Sequence, residues 1–149
     1  MFGRRKPPDP EVQASLQLSF RVLGTVARKR KRLRFPPAPS KPGVYRIRLA
    51  GAGRTAVYVG ETANLSQRFG QYASPGPSQA TNLRLNELIA AHLSKKGRDV
   101  FVDIATEAKY RRAGKRIRAS LADKPARRAA EQIALLVVQD DGRYEILNR

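Results

Sequence analysis

Two strand-forming runs joined by a glycine-bearing turn constrain this chain more than any other feature. Tyr45, Ile47 and Leu49 alternate with Val44, Arg46 and Arg48, the period of a strand with one apolar face. Ala50-Gly51-Ala52-Gly53-Arg54 supplies the glycines that a reversal needs, and the valine-rich run Thr55–Gly60 returns. The pattern predicts a β-hairpin in which Gly43-Val44-Tyr45 faces Tyr58-Val59-Gly60, with twelve residues between the two tyrosines. A helix is expected directly afterwards. Asn64 can cap it, with Gln67 three residues on, and Leu65, Phe69 and Tyr72 form its buried stripe. Arg68 falls at the edge of that stripe.

Further elements follow in a regular order. The run Asn82–Ser94 predicts a second helix that ends at Gly97, and Val100, Val102 and Ile104 mark a third strand. Pro125 suits the first position of a helix over Ala126–Val138. The latter half of that helix, Ile133–Val138, is apolar all round, which predicts burial on every side. Asp140-Asp141-Gly142 turns the chain into a short terminal segment, Tyr144–Asn148. The expected fold class is α/β, of the α+β type: a small, mostly antiparallel three-stranded sheet flanked by helices, with a basic N-terminal arm.

Charge separates the arm from the rest. The chain has 149 residues with 30 Lys and Arg against 12 Asp and Glu, a formal net charge of +18. Eleven of the cations lie in the first 42 residues against only Asp9 and Glu11. The division expected is a basic arm with a Pro-rich linker over 1–40 and a folded domain over 41–149. Within the arm, Val12, Leu16, Phe20 and Leu23 are spaced for a helix over Glu11–Ala27. The block Arg28, Lys29, Arg30, Lys31, Arg32 and Arg34 reads as a flexible, phosphate-seeking segment. Lys109, Arg111, Arg112, Lys115, Arg116 and Arg118 make a second basic stretch around Gly114. Such a charge favours polyanions, nucleic acid before an anionic membrane surface. No run approaches the length of a membrane span, and no secretory signal is evident. The chain has no cysteine and one histidine, which excludes disulfides and thiol chemistry and fits a cytoplasmic protein, nucleoid-associated if bacterial.

If the chain is an enzyme, tyrosines, arginines and a few acids and amides must do the chemistry. Glu131 is the only acid in its helix and precedes the apolar stretch. A carboxylate there needs a cation, either a metal ion or Arg127 or Arg128 one turn earlier. A lone hard carboxylate suits Mg²⁺ or Mn²⁺ better than zinc. Arg68 is either a fork for a phosphate or one more solvated cation. Tyr45 and Tyr58 are either sheet tyrosines or two hydroxyls converging on a ligand. His92 reads as structural.

The order of these residues resembles the GIY-YIG nuclease family, over roughly residues 41–149. The matching positions are Gly43-Val44-Tyr45, Tyr58-Val59-Gly60, Arg68 in the first helix, Glu131 in a later helix and Asn148 beyond it. The resemblance implies a divalent-metal-dependent endonuclease that hydrolyses DNA, double- or single-stranded, with RNA as a further candidate partner. It implies catalytic roles for Tyr45, Tyr58, Arg68, Glu131 and Asn148, with Glu131 holding Mg²⁺ or Mn²⁺ and Gly43 and Gly60 shaping the site. Glu61 stands where several relatives have lysine, and Tyr72 where many have histidine. Proton handling is therefore expected to fall on Tyr45. The alternative is a non-catalytic basic nucleic-acid-binding protein that keeps the nuclease fold.

Overall fold

A computed structural model describes residues 5–51 and 53–148 of the chain. Residues 1–4 of the expected arm, Ala52 of the expected turn and Arg149 lie outside the described residues. In chain order the elements are β1 (Ser15–Leu18), β2 (Arg21–Thr25), β3 (Ala27–Lys29), β4 (Arg32–Arg34), β5 (Gly43–Ala50), β6 (Thr55–Thr62), α1 (Leu65–Ala73), α2 (Ala80–Leu93), β7 (Asp99–Ala105), β8 (Ala108–Arg112), β9 (Lys115–Arg116), α3 (Lys124–Asp140) and β10 (Tyr144–Ile146). The fold is mixed α+β.

The hairpin sits at the centre. Strands β5 and β6 pair antiparallel, with Tyr45 opposite Gly60 and Ile47 opposite Tyr58. On its other side β5 pairs antiparallel with β7. The main sheet has five strands in the order β10-β6-β5-β7-β2, not the three expected. The two additional strands close its edges: β10 joins β6 in parallel, and β2 joins β7 antiparallel with a bulge between Val22 and Gly24. Strands β1, β8 and β9 form a second, three-stranded sheet, and β3 and β4 a separate hairpin.

The N-terminal segment is where expectation and structure part. The helix over Glu11–Ala27 is not formed, and strands stand in its place. Leu16, Leu18 and Phe20 also alternate at period two, and they pack beside α3, whereas Leu23 packs into the opposite cluster. Strand partners from β7 and β8 decide between the two periods. Nor is the basic arm of residues 1–40 a free tether over its described length, because β2 is a sheet edge and Val26 and Leu33 are buried in the core.

Each face of the main sheet carries its own core. Tyr45, Ile47, Leu49, Val100, Val102 and Ile104 pack against Leu65, Phe69 and Tyr72 of α1 and Leu85 and Ile89 of α2. Asn64 caps α1 as expected, its side chain accepting from the Gln67 backbone N–H at 3.0 Å. On the other face Val44, Val57 and Val59 meet Ala130, Ala134 and Val138 of α3, small residues four apart that let the helix lie close to the strands. Burial of Ile133–Val138 on every side is not observed. Leu136 and Val137 are 61 % and 65 % exposed, since only one stripe of α3 faces the sheet. Beyond α3, the same face carries a buried Asp103 held by Arg46 and Arg48. These line a cavity of about 360 Å³ with Phe20, Val57 and Tyr144 among its walls. No membrane-spanning helix occurs among the described residues.

Candidate active site

The site grows out of the register of the hairpin. Tyr45 stands opposite Gly60, and its ring crosses the space a side chain there would fill. A Cβ on Gly60 would lie 2.4 Å from the Tyr45 Cζ and hydroxyl. Gly43 is equally constrained, with Leu65 Cδ1 2.7 Å and the Ala105 carbonyl 2.8 Å from where its Cβ would be. The two glycines therefore allow α1 and the first tyrosine to close onto the strands. Gly60→Ala is expected to destabilise the protein by about 2–3 kcal/mol, combining overpacking with a lost buried hydrogen bond. Tyr45 cannot swing away, because Phe69 meets it edge-on at 5.3 Å and Tyr72 stands at 6.1 Å. Chemical denaturation of the variant checks this, and an unchanged midpoint would refute it.

Three tyrosines and one guanidinium meet here. The Tyr45 hydroxyl lies 2.5 Å from that of Tyr72, both rings fully buried. The Tyr58 ring is 6.4 Å from that of Tyr45. Arg68 stands beside the Tyr45 and Tyr72 hydroxyls, which raise its pKa although burial opposes the charge. Burial, then Tyr72 and Tyr58, push the Tyr45 hydroxyl well above its usual value, with Arg68 opposing. Tyr58 is likewise raised, first by burial and then by Tyr72 and Glu131. At neutral pH both keep their protons and act as hydrogen-bonding hydroxyls. The protein groups around Tyr45 thus raise its pKa rather than lower it, before any bound metal acts on it.

Glu131 completes the cluster from α3. Partial burial raises its carboxyl above the ordinary value; a hydrogen bond from Gln132 at 2.9 Å opposes the shift, and neighbouring Glu61 adds to it. The arginine partner that would explain Glu131 away is engaged elsewhere: buried Arg127 pairs with Glu61 and also donates to the Leu121 carbonyl at 3.0 Å. Arg128 is not in ion-pair contact either, so Glu131 has no salt-bridge partner among the described residues. A partly desolvated carboxylate repelled by a second one fits a hard divalent cation that keeps most of its waters. Among the described residues no group of three or more His, Cys, Asp or Glu gathers as a larger ligand set.

Asn148 stands apart from the tyrosine–arginine cluster. Its side chain accepts from the Val59 N–H at 2.9 Å and donates to the Val59 carbonyl at 2.7 Å, continuing the β10–β6 ladder as a backbone mimic. It thereby fixes β6 one residue from Tyr58. A cavity of about 250 Å³ opens between Tyr58, Asn148, Ala80, Thr81 and Arg84.

Comparison with protein-family models, curated proteins and solved structures found no match.

The geometry of the site brings Tyr45, Tyr58, Arg68 and Glu131 together, gives Tyr72, Glu61 and Arg127 definite places beside them, and adds Arg84, which the sequence reading passed over. Tyr72 is a buried hydrogen-bond partner of Tyr45. Glu61 and Arg127 form one buried pair beside Glu131. Arg84 borders Tyr58 and donates to the Leu147 carbonyl at 2.7 Å. Tyr72 was legible from its place on the Leu65–Phe69–Tyr72 stripe and four residues after Arg68. His92 bonds the Ala50 carbonyl at 2.7 Å and is structural. The basic stretch Lys109–Arg118 forms the β8–β9 hairpin, its Lys and Arg side chains exposed and Tyr110 anchored to the Ala126 carbonyl at 2.6 Å.

Proposed function

We propose that the chain is a divalent-metal-dependent endonuclease of the GIY-YIG type that hydrolyses DNA phosphodiester bonds. The observation that carries this reading is the convergence of Arg68, three tyrosine hydroxyls and an unpaired Glu131, drawn from four separate elements. Arg68 grips the phosphoryl oxygens with a charge held in place by the Tyr45–Tyr72 pair and offsets the charge that builds in the transition state. Tyr58, only partly buried, offers its hydroxyl to the same phosphate. Glu131 holds Mg²⁺ or Mn²⁺, which when bound supplies Lewis acidity and a water of lowered pKa. Tyr45 positions Tyr72 and Arg68 and keeps its own proton. Asn148 and Gly60 hold Tyr58 and Tyr45 in register. The exposed cations of Lys109–Arg118 add salt-dependent affinity without reading sequence. A cytoplasmic site of action accords with this substrate.

The test is incubation of the protein with supercoiled plasmid, single-stranded DNA and RNA, with Mg²⁺ and then with EDTA. Metal-dependent nicking or linearisation that EDTA stops is the expected result. Binding that shifts the plasmid without any EDTA-sensitive cleavage overturns the enzyme reading in favour of a non-catalytic nucleic-acid-binding protein.

A further inference from the structure

The hairpin β3–β4 is short, basic at six of the eight positions from Ala27 to Arg34, and strained at its tip. Its register places Ala27 opposite Arg34, Arg28 opposite Leu33 and Lys29 opposite Arg32. Strand alternation then puts Lys29, Arg32 and Arg34 on one face and Arg28 with Leu33 on the other. Leu33 is buried, and Val26, just before the hairpin, is buried and donates to the Val100 carbonyl at 2.9 Å. Phe35, directly after it, stacks on Phe69 at 5.4 Å and on Tyr72 at 6.1 Å. The ribbon is therefore bolted to the helix that carries Arg68. Its six cations, Arg28, Lys29, Arg30, Lys31, Arg32 and Arg34, are exposed, and none is in an ion pair among the described residues.

The tip shows where conformation has yielded to charge. Arg30 and Lys31 have φ of 50° and 69°. A two-residue hairpin loop with both residues left-handed prefers Asn-Gly, since L side chains other than Asn and Asp are strained there. Among the described residues the other such loop, Ala113-Gly114, places glycine at the second position, with φ of 51° and 76°. At the β3–β4 tip both positions carry long cations instead. Strain of this kind in an exposed turn points to a use for the side chains. A flexible phosphate-seeking tail would need no such turn.

We propose that the β3–β4 hairpin is a preformed ribbon that docks in the major groove of B-form duplex DNA, with Arg30 and Lys31 leading. The major groove, about 12 Å wide, admits a two-stranded ribbon, whereas the deep, narrow major groove of A-form RNA does not. The Phe35 anchor then sets where the duplex stands relative to Arg68. This last step rests on the nuclease reading; the docking itself does not.

The test is anisotropy binding in EDTA, over a salt series, of labelled duplex DNA, single-stranded DNA and duplex RNA of one sequence to the full chain. The unmodified protein is expected to prefer duplex DNA by about tenfold or more. Inserting two glycines between Arg30 and Lys31 keeps every charge and dissolves the tight turn. This should erase the preference while leaving the slope of log K against log salt unchanged. The double variant Arg30→Asn/Lys31→Gly keeps a rigid turn and removes the two leading cations; it should weaken duplex-DNA binding, shallow the slope by about two, and raise the melting temperature. The proposal is overturned if the unmodified protein shows no preference, if the glycine insertion keeps it, or if the Asn-Gly variant binds duplex DNA as tightly as the unmodified protein with the same salt slope. Because no metal is present, these outcomes are independent of whether the protein cuts.

Discussion

Glu131→Gln is expected to lower Mg²⁺-dependent plasmid cleavage by at least about 10²-fold while leaving salt-dependent DNA binding intact. The substitution preserves size and hydrogen bonding and removes only the charge that would hold a cation. Its effect on stability is a second readout. The Glu131 carboxyl is raised above its ordinary value of 4.5, chiefly by burial, so the folded state holds this proton more tightly than the unfolded state does. Its contribution to stability is thus present below the ordinary carboxylate range and lost as pH rises through the folded value. Denaturation midpoints of the two proteins should therefore converge in acid and separate toward neutrality, with the glutamine variant the more stable. Mg²⁺ at neutral pH should raise the melting temperature of the unmodified protein and leave that of the variant unmoved. Wild-type cleavage by Glu131→Gln would remove the carboxylate from the proposed mechanism.

Asp103→Ala should be the most destabilising single truncation on the far face of the sheet. The carboxylate is 2 % exposed and takes Arg48 through two bonds, at 2.7 and 2.8 Å, and Arg46 through one at 3.1 Å. Phe20 lies under the Arg46 guanidinium at 3.9 Å, and Phe101 under that of Arg48 at 4.9 Å. Removing the acid leaves two cations on neighbouring alternate positions of one strand with nothing between them. Breaking a buried ion pair costs about 3–5 kcal/mol. The lower end applies, because the arginines are 31 % and 27 % exposed and can turn toward water. A loss of about 3 kcal/mol corresponds to a fall of roughly 10 °C in melting temperature for a chain of this size. Asp103→Asn, which keeps an acceptor, should fall by less. A melting temperature within about 2 °C of the parent after Asp103→Ala would show that the arginines need no partner.

The legible parts of this protein were those fixed by contacts close in sequence. The β5–β6 pairing, the Asn64 cap, the Leu65–Phe69–Tyr72 stripe and the proline-led start of α3 follow from local period and turn chemistry. The N-terminal segment was misread because Leu16 and Phe20 satisfy two periods at once, and only β7 and β8, far along the chain, choose between them. The edges of the sheet were invisible for the same reason, since β2 and β10 are short and take their conformation from their neighbours. In the candidate site, Tyr45, Tyr58, Arg68 and Glu131 could be nominated by residue type and order. Their electrostatics could not. Burial raises the tyrosines rather than lowering them, and the Arg127–Glu61 pairing that leaves Glu131 without a salt-bridge partner among the described residues depends on how α3 lies over β6.

The placement of Glu131 and Asn148 at the end of the chain has a consequence for the order in which the protein acquires its parts. Tyr45, Tyr58, Gly60, Arg68 and Tyr72 lie within one continuous stretch, joined by a hairpin and the helix directly after it. Glu131 and Asn148 reach them only by long-range docking of α3 and β10, which carries the larger loop-closure cost. During synthesis from the N-terminus, the tyrosine–arginine part of the site is therefore made before the carboxylate. Under the proposed function, a nascent chain still on the ribosome would hold nucleic acid before it had the means to cut it.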